Sequence, residues 1–441
     1  MNTATQFFLI ASSYFGILFF SGGVQAYPLD GAETSGIQRL LGYQAAQQQA
    51  GGAKLPSGAL LHGEDIVLHL DPSLPDFDQL PTEPALQSAI EYIFKQRDPS
   101  YSVVVVDISQ PDQIAWAALR PNNKNNVGSV GKIVTMLGLF DTLATMHPDI
   151  KQRQEVLRTS LITAGDWINI NEHEVPHYNP TTGRNRFGLV AESDQFVLSE
   201  WVDHMISPSA NAAGSVVWRE TMLLKHFADD YPPTDEARRE FLRGTSKKDL
   251  GLLAAAVSDE PLQRAGFDLE QIRQGSFWTR DAKNKVPGGN SYATPLELAR
   301  LIYRMEQGKL VDTWSSLEMK RYLYMTKRRY RYVYAPELNS AAVYFKSGSL
   351  YQCQAEEGFR CRKYMGNKTN RMNSVTLVES PPGAEQPYRY IVALVSNVLK
   401  VNSAWDHSRL AAAIHQAVLT RDRVKVQEEV DEKTLEEAGK S

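Results

Sequence analysis

The sequence predicts an α+β fold in which the two ends of the chain build one antiparallel sheet around an inserted block of helices. Apolar, β-branched segments at 102–108 and 114–119 flank turn residues and predict two paired strands. Similar segments at 342–350, 374–379 and 390–396 predict three more strands near the end of the chain. The long interval between the groups has helical periodicity, so we expect helices that flank the sheet and an all-helical subdomain.

Helical periodicity marks the elements that surround these strands. Residues 85–96 and 403–419 predict amphipathic helices before the first strand and after the last. The segment that follows Ser129 is apolar almost all round, so we expect it to be a central, buried helix. Residues 293–308 predict another helix, for which Thr294 is the N-cap. A cleft between the sheet and the inserted helices is the expected place for a substrate.

The composition of the 441-residue chain is that of a globular protein, with 42% hydrophobic and 22% charged residues. The formal net charge is only −4 and the two signs are interspersed, so no overall field draws the chain to nucleic acid. A basic and aromatic run at 327–332 is interpreted as a solvated surface with packed tyrosines. We expect a monomer with no nucleic-acid partner, in which recognition of any anion is local.

The two ends of the chain differ in composition from its middle. Residues 1–26 carry an interrupted apolar stretch and a small-residue cleavage pattern, which predict a signal peptide and a periplasmic or secreted location. No Lys or Arg precedes that stretch, so an uncleaved membrane anchor stays an alternative. Residues 27–84 are interpreted as an extension or linker and 85–420 as the main domain. The charged residues 421–441 predict a solvated helix or a disordered tail.

The cysteine and histidine patterns argue against a metal centre. Cys353 and Cys361 are the only cysteines, and a disulfide between them is expected in an exported protein. The H-E-x-x-H spacing at 173–177 would bind zinc on a helix, but Pro176 interrupts such a helix. An insertion loop near the cleft is the favoured interpretation of that segment, and no cofactor is expected.

The first chemical motif is an S-x-x-K sequence, Ser129 and Lys132, at the start of the predicted central helix. Three residues are about one helical turn, so the lysine amine can reach the serine hydroxyl. A serine becomes an effective nucleophile when a neighbouring base takes its proton. Lysine can be that base where burial or a second cation lowers its pKa.

Two further motifs follow along the chain. Ser209 and Asn211, spaced as S-x-N, interrupt a helical region and place a hydroxyl and an amide on a loop. Lys346, Ser347 and Gly348 lie on an apolar strand, where the lysine would point into a cleft at the sheet edge. Singly, each motif has an ordinary interpretation, as a helix cap or as an edge-strand lysine. Together and in this order, the three motifs favour a catalytic site.

The ordered set S-x-x-K, S-x-N and K-S-G resembles the three signatures of serine β-lactamases and penicillin-binding proteins, over about residues 85–420. The resemblance implies a β-lactamase or transpeptidase-like fold and an exported serine hydrolase whose substrate is a β-lactam or a peptidoglycan-type peptide. It leaves three alternatives open. One is a class A type β-lactamase, the second is a D-alanyl-D-alanine peptidase-like enzyme with slow deacylation, and the third is a silent scaffold that binds peptidoglycan or a protein partner.

The resemblance also implies a role for each residue of the first two motifs. Ser129 would form the acyl-enzyme, and Lys132 would be its base or part of a proton relay. Ser209 would pass the proton to the leaving amine, helped by the charge of Lys346. Asn211 would hydrogen-bond the substrate amide.

The resemblance assigns the third motif to substrate binding. Lys346 and Ser347 would receive the substrate carboxylate, and Gly348 would leave room for the substrate against the strand. The backbone amides of Ser129 and Ser349 would form the oxyanion hole, where one donor is often worth about 3 kcal/mol.

One departure from the family pattern concerns release of the acyl group. Class A β-lactamases use a Glu on a loop before the last helix ahead of the K-T-G strand, and the equivalent residues 277–288 contain no Glu. Asp281 is the only carboxylate there, which makes it the candidate for deacylation, and Asn284 could help to hold a water. We therefore expect acylation by β-lactams but not fast turnover.

Overall fold

A five-stranded antiparallel sheet is the central layer of the protein in a computed structural model that describes residues 31–48, 56–59, 61, 66, 70–169, 173–324 and 331–438. Its strands are β1 (Ser102–Asp107), β2 (Ala115–Leu119), β9 (Ala342–Gln352), β10 (Thr369–Ser380) and β11 (Tyr388–Asn397). Their order is β2-β1-β11-β10-β9, and Ser102 of β1 lies opposite Val395 of β11. The prediction of one sheet built from both chain ends is confirmed. The predicted signal peptide, residues 1–26, lies outside the described residues.

Helices surround this sheet and fill the interval between its two groups of strands. They are α1 (Gly31–Ser35), α2 (Arg39–Gln48), α3 (Pro84–Phe94), α4 (Lys132–Met146), α5 (Ile150–Thr159), α6 (Leu198–Ile206), α7 (Asn211–Phe227), α8 (Asp235–Gly244), α9 (Lys247–Arg264), α10 (Arg280–Lys285), α11 (Pro295–Glu306), α12 (Thr313–Tyr324) and α13 (Ser403–Ala438). Three small ladders pair β3 (Leu161–Thr163) with β6 (Gln195–Val197), β4 (Val175–Asn179) with β5 (Arg184–Gly188), and β7 (Ile272–Arg273) with β8 (Tyr292–Ala293). The α+β prediction with an inserted helical region is confirmed.

The sheet is buried on both faces, which explains the four consecutive valines of β1. Side chains alternate along a strand, so Val104 and Val106 enter the core shared with the helical region. Val103 and Val105 enter a second core that includes residues of α3 and α13. All four valines are fully buried.

Helix α4 is the central helix that the apolar sequence predicts. It packs against α7 and α9, and its residues from Lys132 to Leu143 are buried. Within the described part of the chain, one helical stretch, Gly128–Met146, is long and apolar enough to cross a membrane, and 78% of it is buried inside the protein. This stretch forms part of the core.

The described part of residues 27–84 packs against the domain and is not a free linker. Ile37 and Leu40 are fully buried in the main core. Between them in sequence, the guanidinium of Arg39 donates to both carboxylate oxygens of Asp203 on α6, at 2.5 and 2.7 Å. Both side chains are buried, and an unpartnered charge there would be costly, so this pair ties α2 to α6.

Two charged segments are less exposed than the sequence indicates. Arg421, assigned to the charged tail, is 5% exposed and forms an ion pair with Asp107, and the helical backbone of α13 continues to Ala438. In the run at 327–332, residues up to 330 lie outside the described part. Arg331 and Tyr332 are buried, so the expectation of a solvated surface is wrong for Arg331.

Candidate active site

The nucleophile candidate lies on a tight turn that leads into the central helix. Residues Gly128–Gly131 form a 3-10 turn, and α4 begins directly after it at Lys132. Lys132 is completely buried, and its Nζ donates to Ser129 Oγ at 3.1 Å. The turn thus places the amine against the hydroxyl, as the S-x-x-K spacing predicts.

Lys132 also contacts the second motif. Its Nζ donates to the carbonyl oxygen of Ser209 at 2.9 Å and to Oδ1 of Asn211 at 2.8 Å. Asn211 is the first residue of α7, and the loop that precedes it separates α7 from α6. The first two motifs therefore meet at one amine.

Ser209 connects the two lysines of the site. Its Oγ accepts a hydrogen bond from Lys346 Nζ at 2.8 Å and lies 3.5 Å from Lys132 Nζ. Its backbone has φ of 60°, a left-handed conformation that costs a residue with a side chain about 1–3 kcal/mol. The surrounding packing holds this conformation, because the amide of Ala210 donates to the carbonyl of His204. Strain of this kind is typical of functional loops.

The glycine of the third motif fits against the nucleophile's turn. A side-chain carbon on Gly348 would lie 2.1 Å from the carbonyl oxygen of Val127 and 2.9 Å from the amide nitrogen of Ser129. Gly348 is therefore needed for the close approach of this turn, and its role in leaving room for the substrate stays a prediction. On the other side, Gly128 has φ of 50° and approaches the amide nitrogen of Ser349. These two glycines bring the amides of the candidate oxyanion hole to the same corner of the cleft.

A wall that the sequence analysis missed lies beside the motifs. The indole ring of Trp278 lies 4.7 Å from Lys132 Nζ. Two glycines make room for it, because a side-chain carbon would meet the ring at 3.2 Å on Gly131 and at 2.5 Å on Gly214. Gln274 lies beside it, and its Nε2 donates to the carbonyl of Ser276 at 2.7 Å. Both glycines are distant from Trp278 in the sequence, so no local pattern indicates this contact.

The structure does not bring Asp281 to the nucleophile. Asp281 lies on the short helix α10, where its amide donates to the carbonyl of Asn169. The same helix presents Lys283 to a cavity that includes Ser129. Two residues are about 200° apart around a helix, so Asp281 faces away from that cavity. Asp281 is not among the described residues that line the two cavities at Ser129, so its role in deacylation stays a prediction, and Asn284 is exposed on the same helix.

Two cavities meet at Ser129. The smaller, of about 390 Å³, includes Gln274, Trp278 and Ser349 in its lining. The larger, of about 800 Å³, is lined by the following described residues: Ser129, His173, Glu174, Leu189, Ser209, Asn211, Arg331, Ser349, Leu350, Tyr351, Lys363 and Tyr364. The nucleophile is therefore accessible from a cleft of ligand size.

The H-E-x-x-H segment lies beside this cleft without a helical conformation. His173 and Glu174 line the larger cavity, while Pro176 and His177 belong to strand β4. His173 precedes the strand, and four residues of extended backbone span about 13 Å, so the spacing does not bring the two histidines together as one helical turn would. The segment belongs to the wall of the cleft, where the sequence placed an insertion loop.

Arg331 is a second residue that the sequence analysis missed. One of its terminal nitrogens donates to Ser347 Oγ at 2.5 Å and the other to Tyr364 Oη at 2.7 Å. Its backbone φ of 75° turns the side chain into the site, and no sequence pattern indicates such a conformation. The K-S-G motif therefore carries two cations, Lys346 from the strand and Arg331 from outside it.

The layer beneath the third motif is neutral. Ser374 lies opposite Ser347 in the sheet, and its Oγ contacts Nδ1 of His407 at 2.9 Å. The other ring nitrogen of His407 contacts Ser396 Oγ at 2.9 Å. Burial, with a smaller effect of the Arg331 charge, lowers the pKa of His407 to about 3. The histidine is thus an uncharged support for the strand and adds no charge to the cleft.

A disulfide joins Cys353 and Cys361, whose Cα atoms are 6.2 Å apart. It lies in the connection between β9 and β10, the same connection that supplies Lys363 and Tyr364 to the cleft. Among the described residues, no group of three or more His, Cys, Asp or Glu side chains could hold a metal ion.

Comparison with known proteins gives likenesses to solved structures alone. No protein-family model matches the chain, and no curated protein matches it. A β-lactamase from Sphaerobacter thermophilus is 14% identical, with 76% of this chain and 96% of that one covered, at a TM-score of 0.47. A β-lactamase from Chitinophaga pinensis is 12% identical, with 76% and 97% covered, at a TM-score of 0.45.

A penicillin-binding protein is also among these structures. A PBP-A variant, solved as an acyl-enzyme complex with penicillin G, is 14% identical, with 78% of this chain and 98% of that one covered, at a TM-score of 0.46. The chain is similar to serine β-lactamases and penicillin-binding proteins. Likenesses at these identities and scores establish no activity for this chain.

Proposed function

We propose that the protein is an exported serine acyl-transfer enzyme, which opens a β-lactam or a related amide through an acyl-Ser129 intermediate. One observation carries the proposal. An unbroken set of contacts runs from Ser129 Oγ through Lys132 Nζ and Ser209 Oγ to Lys346 Nζ. These residues come from three separate parts of the chain, and the two lysines are buried with Ser209 at the end of the cleft.

Acylation begins when Lys132 takes the proton of Ser129, whose Oγ is within hydrogen-bond reach of the amine. The oxygen then attacks the carbonyl carbon and forms a tetrahedral intermediate. A neutral amine is needed for this step, and both the burial of Lys132 and the nearby ammonium of Lys346 disfavour a second positive charge. In the alternative version, Lys132 passes the proton along a relay that includes Ser209.

Collapse of the intermediate requires a proton on the leaving nitrogen. Ser209 donates its hydroxyl proton to that nitrogen while the carbon–nitrogen bond breaks, and it regains a proton from Lys132. Lys346 donates a hydrogen bond to Ser209 Oγ and stabilises the negative charge that develops there. The acyl group then remains on Ser129.

The same corner of the cleft offers groups for substrate binding. The amides of Ser129 and Ser349 would stabilise the oxyanion, because the two glycines described above bring them together. A substrate carboxylate would be received by Lys346 and Ser347, and Arg331 adds a positive charge at Ser347 Oγ. Asn211 holds Lys132 and can also face the substrate, since it lines both cavities.

The Trp278 wall favours slow release of the acyl group. An aromatic ring lies beside Lys132, where a carboxylate could otherwise activate a water. The described residues that line the smaller cavity include no Asp or Glu. A D-alanyl-D-alanine peptidase-like, penicillin-binding activity with a long-lived acyl-enzyme is therefore favoured over efficient β-lactam turnover.

The mass of the intact protein after incubation with a penicillin tests the proposal. We expect one adduct of the mass of the antibiotic, located on Ser129 and absent from Ser129→Ala. Ser340→Ala, a change at an exposed serine, should acylate like the unmodified protein. If no β-lactam and no activated ester forms an adduct, the protein is the silent scaffold and the proposal is wrong.

Export is the second part of the proposal, and it rests on the sequence of residues 1–26. We expect the protein in the periplasm or the medium when it is produced with this segment in a bacterium. Deletion of the segment should retain it in the cytoplasm. A full-length protein that stays in the cytoplasm would contradict export and leave the chemistry unaffected.

A further inference from the structure

The larger cavity extends from the catalytic residues to a wall that the connection between β9 and β10 supplies. Its volume of about 800 Å³ is near the upper part of the usual range for ligand sites, so it can hold more than the scissile amide. Lys363 and Tyr364 of this connection line it together with Arg331. The cavity therefore contains a region of cationic and aromatic side chains beyond the nucleophile.

Two cations share one aromatic ring in this region. The guanidinium carbon of Arg331 lies 4.7 Å from the ring centroid of Tyr364, and Lys363 Nζ lies 5.3 Å from the same centroid. Both contacts are of cation–π length. Two positive charges held at one ring repel each other and both attract an anion, so a bound carboxylate would relieve the repulsion.

The shared ring is firmly positioned. Tyr364 is buried, its Oη accepts a hydrogen bond from Arg331, and its carbonyl accepts one from the amide of Ser403 at 3.1 Å. On its other side the ring contacts that of Tyr351, at 6.1 Å between centroids. Lys363 is exposed, so it can move toward a ligand while the ring and Arg331 stay in place. This is a rigid site with one adjustable cation.

The rest of the cavity lining identifies the class of ligand. Glu174 is the only carboxylate among the described lining residues, and it belongs to the segment before β4. Leu189 and Leu350 add apolar surface to the same lining. A ligand with a second negative charge and a short apolar connection to its reacting amide fits these features.

We propose that Arg331 and Lys363, held at Tyr364, bind a second carboxylate of the substrate. This carboxylate is distinct from the one that Lys346 and Ser347 would receive, so the substrate class is a dicarboxylate amide or peptide. Arg331 links the two positions, because it donates to Ser347 and to Tyr364. The inference names the substrate class of the proposed function. Reaction of such a substrate depends on the proposed acylation of Ser129, whereas its binding does not.

Calorimetric titration with simple dicarboxylic acids tests the subsite on the whole protein. We expect at least one straight-chain dicarboxylic acid of three to seven carbons to bind at least tenfold more tightly than the monocarboxylic acid of equal length. Lys363→Met should raise its dissociation constant about tenfold, whereas Lys363→Arg should keep it within about twofold. Lys368→Met is the matched control, because Lys368 is an exposed lysine of the same connection and does not line the cavity.

Two outcomes would overturn the subsite. Dicarboxylic acids could bind no more tightly than monocarboxylic acids, or Lys363→Met could leave the dissociation constant unchanged. Penicillin acylation of the unmodified protein is measured separately. If Ser129 is not acylated but the dicarboxylic acid binds through Lys363, then the proposed reaction is wrong and the subsite stands. If Ser129 is acylated but the dicarboxylic acid does not bind through Lys363, then the subsite is wrong and the proposed reaction stands.

Discussion

The two walls of the cleft are built from different kinds of residues. The motif wall places Ser129, Lys132, Ser209 and Lys346 in one set of hydrogen bonds between 2.8 and 3.5 Å. The second wall, beside it, is dominated by the indole ring of Trp278, packed over two glycine positions. The first wall has groups that can move protons, and the second has a ring that fills space. Formation of an acyl-enzyme and its hydrolysis are therefore separable properties of this cleft.

Removal of the amine from the motif wall should have the largest effect. We expect Lys132→Ala to lower the rate of Ser129 acylation by about 10³ to 10⁴, because the amine of Lys132 contacts Ser129 Oγ and takes its proton in the proposed mechanism. The rate is measured by intact mass over time. Lys151→Ala, at an exposed helical lysine, is the control and should change the rate by less than about twofold. A similar loss in both variants would mean that charge or stability, not the contact, is responsible.

Ser209→Ala should have a smaller effect that depends on the leaving group. If Ser209 protonates the leaving nitrogen, its loss should slow acylation by a penicillin about 10²-fold. Acylation by an ester with a nitrophenolate leaving group, which leaves without a proton, should slow by less than about threefold. Equal losses with both reagents would show that Ser209 acts on the first step or on folding alone.

Opening the second wall should affect release more than formation of the acyl-enzyme. We expect Trp278→Ala to speed loss of the penicillin adduct about tenfold, since water gains access to the acyl group. The lifetime of the adduct is followed by mass after excess penicillin is removed. Trp405→Ala, at an exposed tryptophan that is not among the described residues lining either cavity, should leave the lifetime unchanged. An unaltered lifetime in Trp278→Ala would show that the ring does not exclude the water.

The smallest effect on the chemistry of the cleft is expected at Glu200, which lies on α6 and is not among the described residues that line the two cavities. Burial, together with the charge of Asp203, raises the pKa of Glu200 to about 8, against smaller opposing effects of Arg39 and of the amide of Gln38. A carboxyl whose folded pKa is raised stabilises the fold fully below its unfolded pKa, and this contribution is lost as the pH rises to 8. Between pH 5 and pH 8, the free energy of unfolding should therefore fall by about 3 kcal/mol more in the unmodified protein than in Glu200→Gln. Chemical denaturation at both pH values measures this difference, and parallel pH profiles would contradict it.

The sequence predicted the layout of the sheet because the signal is local. The valines of β1 and the turn after it indicate a hairpin, and both-sided burial follows from their unbroken run. The beginning of β10 was missed by five residues, since it carries Asn370 and Arg371, which do not look like a buried strand. Asn370 is nevertheless buried, because its side chain donates to the carbonyls of Val398 and Val401. These hydrogen bonds come from residues that are distant in the sequence, so no local pattern predicts the burial of Asn370.

Distance along the sequence also decides which site residues could be predicted. Ser129 with Lys132 and Lys346 with Ser347 are close in sequence, so helix and strand geometry predict their placement. Trp278 reaches Lys132 from a distant part of the chain, and Arg331 reaches Ser347 through an unusual backbone conformation. Spacing rules do not cover either case. The placement of Asp281 depends on the phase of its short helix, which its residue type does not indicate.

The lifetime of the acyl-enzyme tests the difference between the two walls most directly. The protein is mixed with penicillin, excess antibiotic is removed, and the intact mass is followed over time. We predict a stoichiometric adduct on Ser129 that persists for hours. The absence of any adduct would contradict the role of the motif wall, and an adduct that disappears within seconds as hydrolysed penicillin accumulates would contradict the role of Trp278.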